Sequence, residues 1–460
     1  MRPPGAGAGR SGRVPDVMPD VMPDMMAAKA GDDRGDGHAI DMGIGRSATA
    51  GRTGSGADRL ARSADDAIYP LLHPYYAEVC ALSELRKKRG IGVKLQSGMG
   101  GHSLLYLNGV RVDRRERYPT LVLCEPGCSP ARHGVGISVN SHYRNANWIA
   151  AEGRDFVWRG ALARGESLTR AAYERTQALA KAQGVLDGIE FHEHLFRDKP
   201  RGMSERDYMY EISIATDYAV RFGRNVYRAR VPLDRNRMAV IVDFLNRLNA
   251  PYRTGERVFD WHPLTNNCAH AAHNALAAVG VWAPWPTGQF LAIAAFRFPV
   301  PKNEFVDLVL RTNDLPVHDA RAIFKDELAR RALLETGVLP TAPASLAIAE
   351  RAIRENEVYE TDRLRLIFYG NPFWGHYRRH FASILDEPRY SDLRANLQHF
   401  AQIYETAVER RRSARADGPR SDAEARFAVH YERYIEREAV RVNDLLAKLD
   451  GTSGIAEAAP

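Results

Sequence analysis

What the chain has little of narrows its class before any motif is read. Only four of its 460 residues are cysteine: Cys80, Cys124, Cys128 and Cys268. That is too few for a disulfide framework and fits a reducing compartment. No apolar run approaches the ~18 residues that a membrane-spanning helix needs. The longest, Phe290–Phe296, is short and stops at Arg297, so no transmembrane segment is expected. The basic opening MRPPGAGAGRSGR is followed by no apolar stretch of the kind a secretory signal carries, and a cytoplasmic location is the expectation. His376 and His380 stand one helical turn apart, but no glutamate follows His376. The H-E-x-x-H zinc-protease pattern therefore fails, and the two read as surface or packing residues. Cys124 and Cys128 precede His133, and His192 and His194 make a His-x-His pair, yet neither spacing supplies a full ligand set. No metal and no cofactor is expected. The net charge of +7 is dispersed among acidic residues, which describes a solvated surface and no nucleic-acid partner.

An apolar fraction of 45% is ordinary for a globular core, and the length suits two or three domains. Residues 1–66 are rich in Gly, Ala, Pro, Asp, Arg and Ser, and VPDVMPDVMPDMM is a tandem repeat with no packing period. Such a segment buries too little apolar surface to offset chain entropy, so a disordered tail is expected. From Tyr69 the pattern turns globular. Pro74–Arg86 reads as a helix, with Tyr76, Val79 and Leu82 inward. Short runs at Gly90–Leu95, around His102, at Thr120–Cys124 and at Val135–Asn140 are divided by Gly, Pro and Asn and read as an antiparallel sheet. Helices are expected at Leu168–Gln183, capped by Ser167, at Ser204–Ala219, and at Asp234–Leu248, opened by Asp234, with a strand at Arg224–Val231. Beyond Phe305 the periods are helical. Leu393, Leu397, Phe400, Tyr404 and Ala407 make one stripe, and Ser421-x-x-Glu424 is a capping box that opens a second long helix. The fold class is thus α+β: a sheet-bearing domain over 69–300 and a mainly helical region over 301–460.

The chemistry centres on LTNNCAHAAHNALAAVG, Leu264–Gly280. Thr265, Asn266 or Asn267 can cap a helix there, and Gly280 sits where it stops. Cys268 then lies at the positive end of a helix dipole, a position that lowers a thiol pKa toward the thiolate and marks a candidate nucleophile. Its partner is sought among the histidines. His270 lies about 200° and His273 about 140° round the helix from Cys268, so they are expected to flank the groove or face solvent. His102 stands in the glycine-rich SGMGGHSLLYLNGVRVD. Asn108-Gly109 is a hairpin signal, and a regular hairpin sets Leu104 against Asp113 and His102 against Arg115. Asp113 then lies diagonally beside His102. Asn140, His142 and His133 are its rivals. Asn266 and Asn267 are candidate oxyanion donors, and Asn140 and His142 candidate lining residues.

A histidine at a strand start, followed much later by Asn-Cys at a helix start, resembles the permuted papain-like fold of lecithin–retinol acyltransferase-like proteins and some bacterial cell-wall peptidases. Nearer still is a resemblance to the Lnb N-terminal periplasmic domain family, a bacterial family of unknown function. It is carried by GGHSLLYL, GRDFVWRG, VYRARVPLDRNRMAVIVDFLNRLNAPY and TNNCAHAAHNAL, over roughly Tyr69–Val300. The resemblance implies Cys268 as nucleophile and His102 as base, names no substrate, and makes the periplasm the alternative location. The expected function is a cysteine-dependent hydrolase or acyltransferase acting on an amide or ester bond of a small-molecule, lipid or peptide substrate. The alternative is a non-catalytic papain-like scaffold that binds a ligand or protein. Composition also yields a first test: deleting residues 1–66 is expected to leave the melting temperature within error, and a drop of several degrees would show that the segment packs.

Overall fold

The computed structural model describes residues 67–94, 101–125, 133–287, 299–362, 364–366, 377–413 and 421–456. The expected 1–66 tail, Cys128 and His376 lie outside them. The frame is one six-stranded antiparallel sheet in the order β6-β5-β2-β1-β7-β8. Its strands are β1 (Tyr75–Leu82), β2 (His102–Asn108), β5 (Gly134–Ser138), β6 (Ile149–Glu152), β7 (Val226–Leu233) and β8 (Leu346–Glu350). A separate two-stranded ribbon joins β3 (Val110–Val112) to β4 (Leu121–Leu123). The class is α+β, with an antiparallel sheet and a helical C-terminal region.

Three expectations fail in and around the sheet. The stretch read as a helix over Pro74–Arg86 is β1, paired over its length with β2 and β7. Seven of its eight residues are buried, so both faces are covered and the run shows no two-residue alternation to separate it from a helix. The expected strand at Gly90–Leu95 is turn and bend over 90–93, and its last residue lies outside the described residues. The Asn108-Gly109 hairpin also does not form. Gly109 turns the chain with φ +79°, but β2 pairs with β1 and β5 while β3 leaves for the ribbon with β4. That ribbon docks on the helix below it through both amide groups of Asn246, which bond Leu121 N and O at 2.9 Å.

The sheet's two faces are dressed differently. On one lie α4 (Arg235–Arg253), α5 (Cys268–Ala277) and α6 (Pro301–Asn313), above Leu105, Ile137, Val79 and Tyr227. On the other lies α1 (Arg154–Arg159), whose Val157 stands so close to Gly136 that a Cβ there would fall 2.8 Å from it. α2 (Arg170–Ala182) and α3 (Glu205–Ser213) follow; Thr169, not Ser167, caps the first, and Ser204 caps the second. This second face holds a buried charge cluster. Glu78 accepts from Arg230 Nε at 2.6 Å and from Arg228 Nη1 at 3.1 Å, and pairs with Arg154 at 3.4 Å. The guanidinium groups of Arg228 and Arg230 also stack over Trp158 and Tyr69 at 4.9 and 4.5 Å. Burial opposes the Glu78 charge, but Arg228, Arg154 and Arg230 overcome it and hold the carboxyl far below the usual range.

Composition divides the chain near residue 301, but the sheet does not divide there. α6 packs beneath it, and β8 becomes its edge strand beside β7. β8 is five residues of LAIAE among helical text, too short to show a period. Helices α7 (Ala320–Lys325) and α8 (Glu327–Thr336) precede β8, and α9 (Tyr377–Asp386), α10 (Pro388–Ser391), α11 (Leu393–Ser413) and α12 (Asp422–Ala456) follow. The last two pair as expected along Leu397, Phe400 and Tyr404, with Tyr404 and Tyr434 hydroxyls 2.9 Å apart. Asn396 fastens them to the sheet side, bonding Asn313, Ser345 O and Ala344 N. Among the described residues no helix is long and apolar enough to cross a membrane. The charge cluster generates a prediction: Glu78→Gln leaves buried guanidinium groups unneutralised and is expected to cost roughly 3–5 kcal/mol in urea unfolding. A change below about 1 kcal/mol would mean that the arginines are solvated or paired elsewhere.

Candidate active site

Cys268 is the first residue of α5, at the end where backbone N–H groups lack intrahelical partners. Asn267 caps that end: its Oδ1 accepts from Ala269 N at 2.8 Å and His270 N at 3.3 Å, while His270 Nδ1 accepts the Asn267 N–H at 3.1 Å. The Cys268 Sγ accepts the backbone N–H of Ser103, from β2, at 3.3 Å. Below it, Leu105, Ile137, Val139, Leu245, Ala271 and Ala272 line a narrow crevice with no room for a water molecule between its walls.

His102 opens β2 one residue before Ser103 and is carried to the same strand end. Gly101 makes the approach possible. Its φ is +71°, and a Cβ there would lie 2.3 Å from Leu82 O. Beyond that point the two candidates part. Side chains alternate along a strand, so Ser103 and Leu105 face α5 while His102 and Leu104 face the other way. The contacts agree. His102 Nε2 lies 2.9 Å from the Oγ of Ser138, which is on the strand position opposite Leu104 and donates to Asp217 Oδ1 at 2.6 Å. With its one hydrogen given to Asp217, Ser138 accepts from His102, which fixes an Nε2–H tautomer and leaves Nδ1 as the acceptor. Asn140 Nδ2 also reaches Asp217 Oδ1, at 3.4 Å. Two alanines flank this carboxylate in left-handed conformation, Ala215 at φ 62° and Ala219 at φ 52°, a strain of roughly 1–3 kcal/mol each that the surrounding packing must hold. Among the described residues no hydrogen bond joins the His102 ring to the Cys268 thiol.

The electrostatics differ from the thiolate–imidazolium pair expected. Burial pushes the Cys268 thiol up, and the N–H groups of Ser103 and Cys268 together with the charge of Arg224 only partly offset it. Burial, with the charge of Arg224 and His142, lowers His102 to about 3. Both are neutral at pH 7, because desolvation outweighs the helix dipole. Burial also raises Asp217, against the hydrogen bond from Ser138. Two cations complete the surroundings. Arg224, buried, donates to Ala215 O at 2.9 Å and Ser83 O at 2.6 Å, and burial lowers it to about 10. Lys302, buried at the start of α6, is lowered by burial to about 7.

The remaining expectations divide. Asp113 does not stand behind His102, because the hairpin that would place it there is absent. It is taken by Arg115, which bonds it through Nε at 2.9 Å. Ser138 and Asp217 occupy the position foreseen for it. Asn267 Nδ2 gives both of its hydrogens away, to Pro263 O at 2.7 Å and Pro299 O at 3.1 Å, and so has none for an oxyanion; Asn266 Nδ2 gives one of its two to Asp260 O at 3.0 Å. His142 packs tilted against Phe191, its Nδ1 buried without a hydrogen-bond partner among the described residues. His270 and His273 are buried, not solvent-facing; His273 stacks on Trp282 at 4.2 Å and bonds Glu304. His192 bonds Phe259 O at 3.2 Å, and among the described residues no group of three His, Cys, Asp or Glu is placed to hold a metal ion. Ser138, Asp217, Arg224 and Lys302 carry no motif, and only the folded topology brings them to the site.

No family model, no curated protein and no solved structure matches the chain.

The buried rings set a pH dependence. Burial lowers His73 and His102 to about 3 and His142 and His270 to about 4, from an ordinary 6.5. Each stays neutral in the folded chain while its unfolded counterpart takes up a proton below about 6.5, so stability present above that pH is lost as pH falls. The melting temperature is expected to decline steadily from pH 6.5 to 4. A flat profile from pH 7 to 5 would show that these rings are charged or open to water in the fold.

Proposed function

We propose that the protein is a thiol hydrolase or acyltransferase of permuted papain-like fold, with Cys268 attacking an amide or ester carbonyl. The observation that carries this is the thiol's position: the first residue of a capped helix, with Sγ receiving an N–H from the adjacent strand. That N–H and the Cys268 N–H are the donors a developing oxyanion would find, each worth roughly 3 kcal/mol at a transition state. The histidine-then-cysteine order and a thiol helix lying on an antiparallel sheet also fit the permuted arrangement. In this reading Asp217, acting through Ser138, takes the place of Asp113 behind His102. The substrate classes are those with a cleavable acyl group: a small molecule, a lipid or a peptide.

A second reading has its own observation. Cys268 is 9% exposed and its thiol neutral above a crevice without room for water, as in a scaffold that binds a partner and performs no chemistry. Iodoacetamide at pH 7.5, with the modified positions mapped by mass spectrometry, separates the two. The hydrolase reading expects Cys268 to react before Cys80, Cys124 and Cys128 and to be captured by an acyl-directed thiol probe. Reaction of Cys268 no faster than of Cys80, which is fully buried in the sheet, would leave the scaffold.

A further inference from the structure

On the thiol's own side of the sheet, the buried titratable side chains of α5 and α6 include His270, His273, Glu304 and Lys302. His270 is held in the helix cap and His273 and Glu304 bond each other, while the lysine lies at the strand end that meets the thiol. Lys302 is the second residue of α6 and fully buried. Two contacts place it. The segment leading into α6 is tied to the cap of the thiol helix, since Asn267 Nδ2 donates to Pro299 O at 3.1 Å. The amine itself lies against Gly101, where a Cβ would stand 2.7 Å from Nζ. Two residues along, Ser103 gives its N–H to the Cys268 Sγ. Arg224, the other buried cation, forms no ion pair among the described residues, and the thiol is among the groups whose charge bears on both cations. Glu84 is the carboxylate that acts on Lys302, while His102 and Asp217 lie across the sheet.

We propose that Lys302 is the proton partner of Cys268: its amine takes the thiol proton as sulfur attacks the carbonyl carbon, and its ammonium returns that proton to the departing oxygen or nitrogen. The inference rests on the reading of Cys268 as nucleophile. In the first half a C–S bond forms and the C–O or C–N bond breaks, leaving a thioester. In the second half water, or an acceptor alcohol or amine, attacks the thioester and gives its proton to the same amine, which passes it to the departing sulfur. Arg224 adds fixed positive charge beside the transient thiolate. Burial lowers the Lys302 ammonium to about 7, the range in which a general base is most effective.

The test is the pH profile of Cys268 alkylation by iodoacetamide in the full-length protein, with melting temperature as a check on folding. In the unsubstituted chain the rate is expected to rise with a midpoint near 7. Lys302→Met is expected to move that midpoint to the alkaline side of the ordinary thiol range and to slow alkylation at pH 7.5 by about 10²-fold. A midpoint that moves more in His102→Ala than in Lys302→Met would overturn the assignment and return the role to the histidine, with Cys268 still the nucleophile. Should Lys302→Met fail to fold, the unsubstituted profile decides: a rate that rises only in the alkaline thiol range sinks the proposal. A Cys268 no more reactive than Cys80 removes the nucleophile itself, and the lysine's role with it.

Discussion

The sheet is built round one buried charge. Glu78 sits in the central strand with no exposure, and Arg154, Arg228 and Arg230 converge on it. A carboxylate so placed is tolerable only if its partners are close and their own N–H groups are satisfied. Arg228 also reaches Glu350 at 2.8 Å through Nη2, and so ties the central strand to the edge strand β8. Arg230 spreads its charge over Tyr69 and Tyr76, and Arg154 over Tyr106. These contacts join β1, β7 and β8, and β1 carries β2 on its other edge.

Much of this was legible in local text, and what was not has physical causes. Helices with strong caps or stripes were found within a few residues: Asp234 caps α4, Ser421 accepts from Glu424 N, and the Leu397–Phe400–Tyr404 stripe is buried. β1 was misread because a strand covered on both faces loses its alternation, and Tyr76, Val79 and Leu82 mimic a helical period. At the site, Cys268 and its cap were readable because capping is local chemistry. His102 was readable as a strand start, but the direction of its ring was not. That depends on β2 pairing with β5 and not with β3, a long-range choice that the Asn-Gly turn signal contradicted. Asp217 and Lys302 could not be found locally at all, since one sits in a strained loop and the other looks like an ordinary helix start.

The site is thereby partitioned by the sheet. On one side are a thiol, a lysine and an apolar crevice; on the other are an imidazole, a hydroxyl and a carboxylate in a hydrogen-bonded row. The strand end at Gly101–Ser103 belongs to both populations, and the charge of Arg224 acts on both. Arg224 depresses His102 and favours the ionised thiol at once, so a single buried cation couples two groups that share no hydrogen bond.

The position of β8 in the sequence has a consequence for how the chain comes together. The central strand meets β7 about 150 residues later, across Glu78 and Arg228, and β7 meets its outer neighbour only at Leu346–Glu350. Contacts of such sequence separation must overcome loop-closure entropy before they return any stabilisation, which makes assembly slow. During synthesis, β7 therefore waits with an unpaired edge until the ribosome has passed residue 350, and that open edge invites strand addition from another chain. The five residues of β8 thus act as a molecular full stop, closing a surface that every shorter nascent chain leaves adhesive.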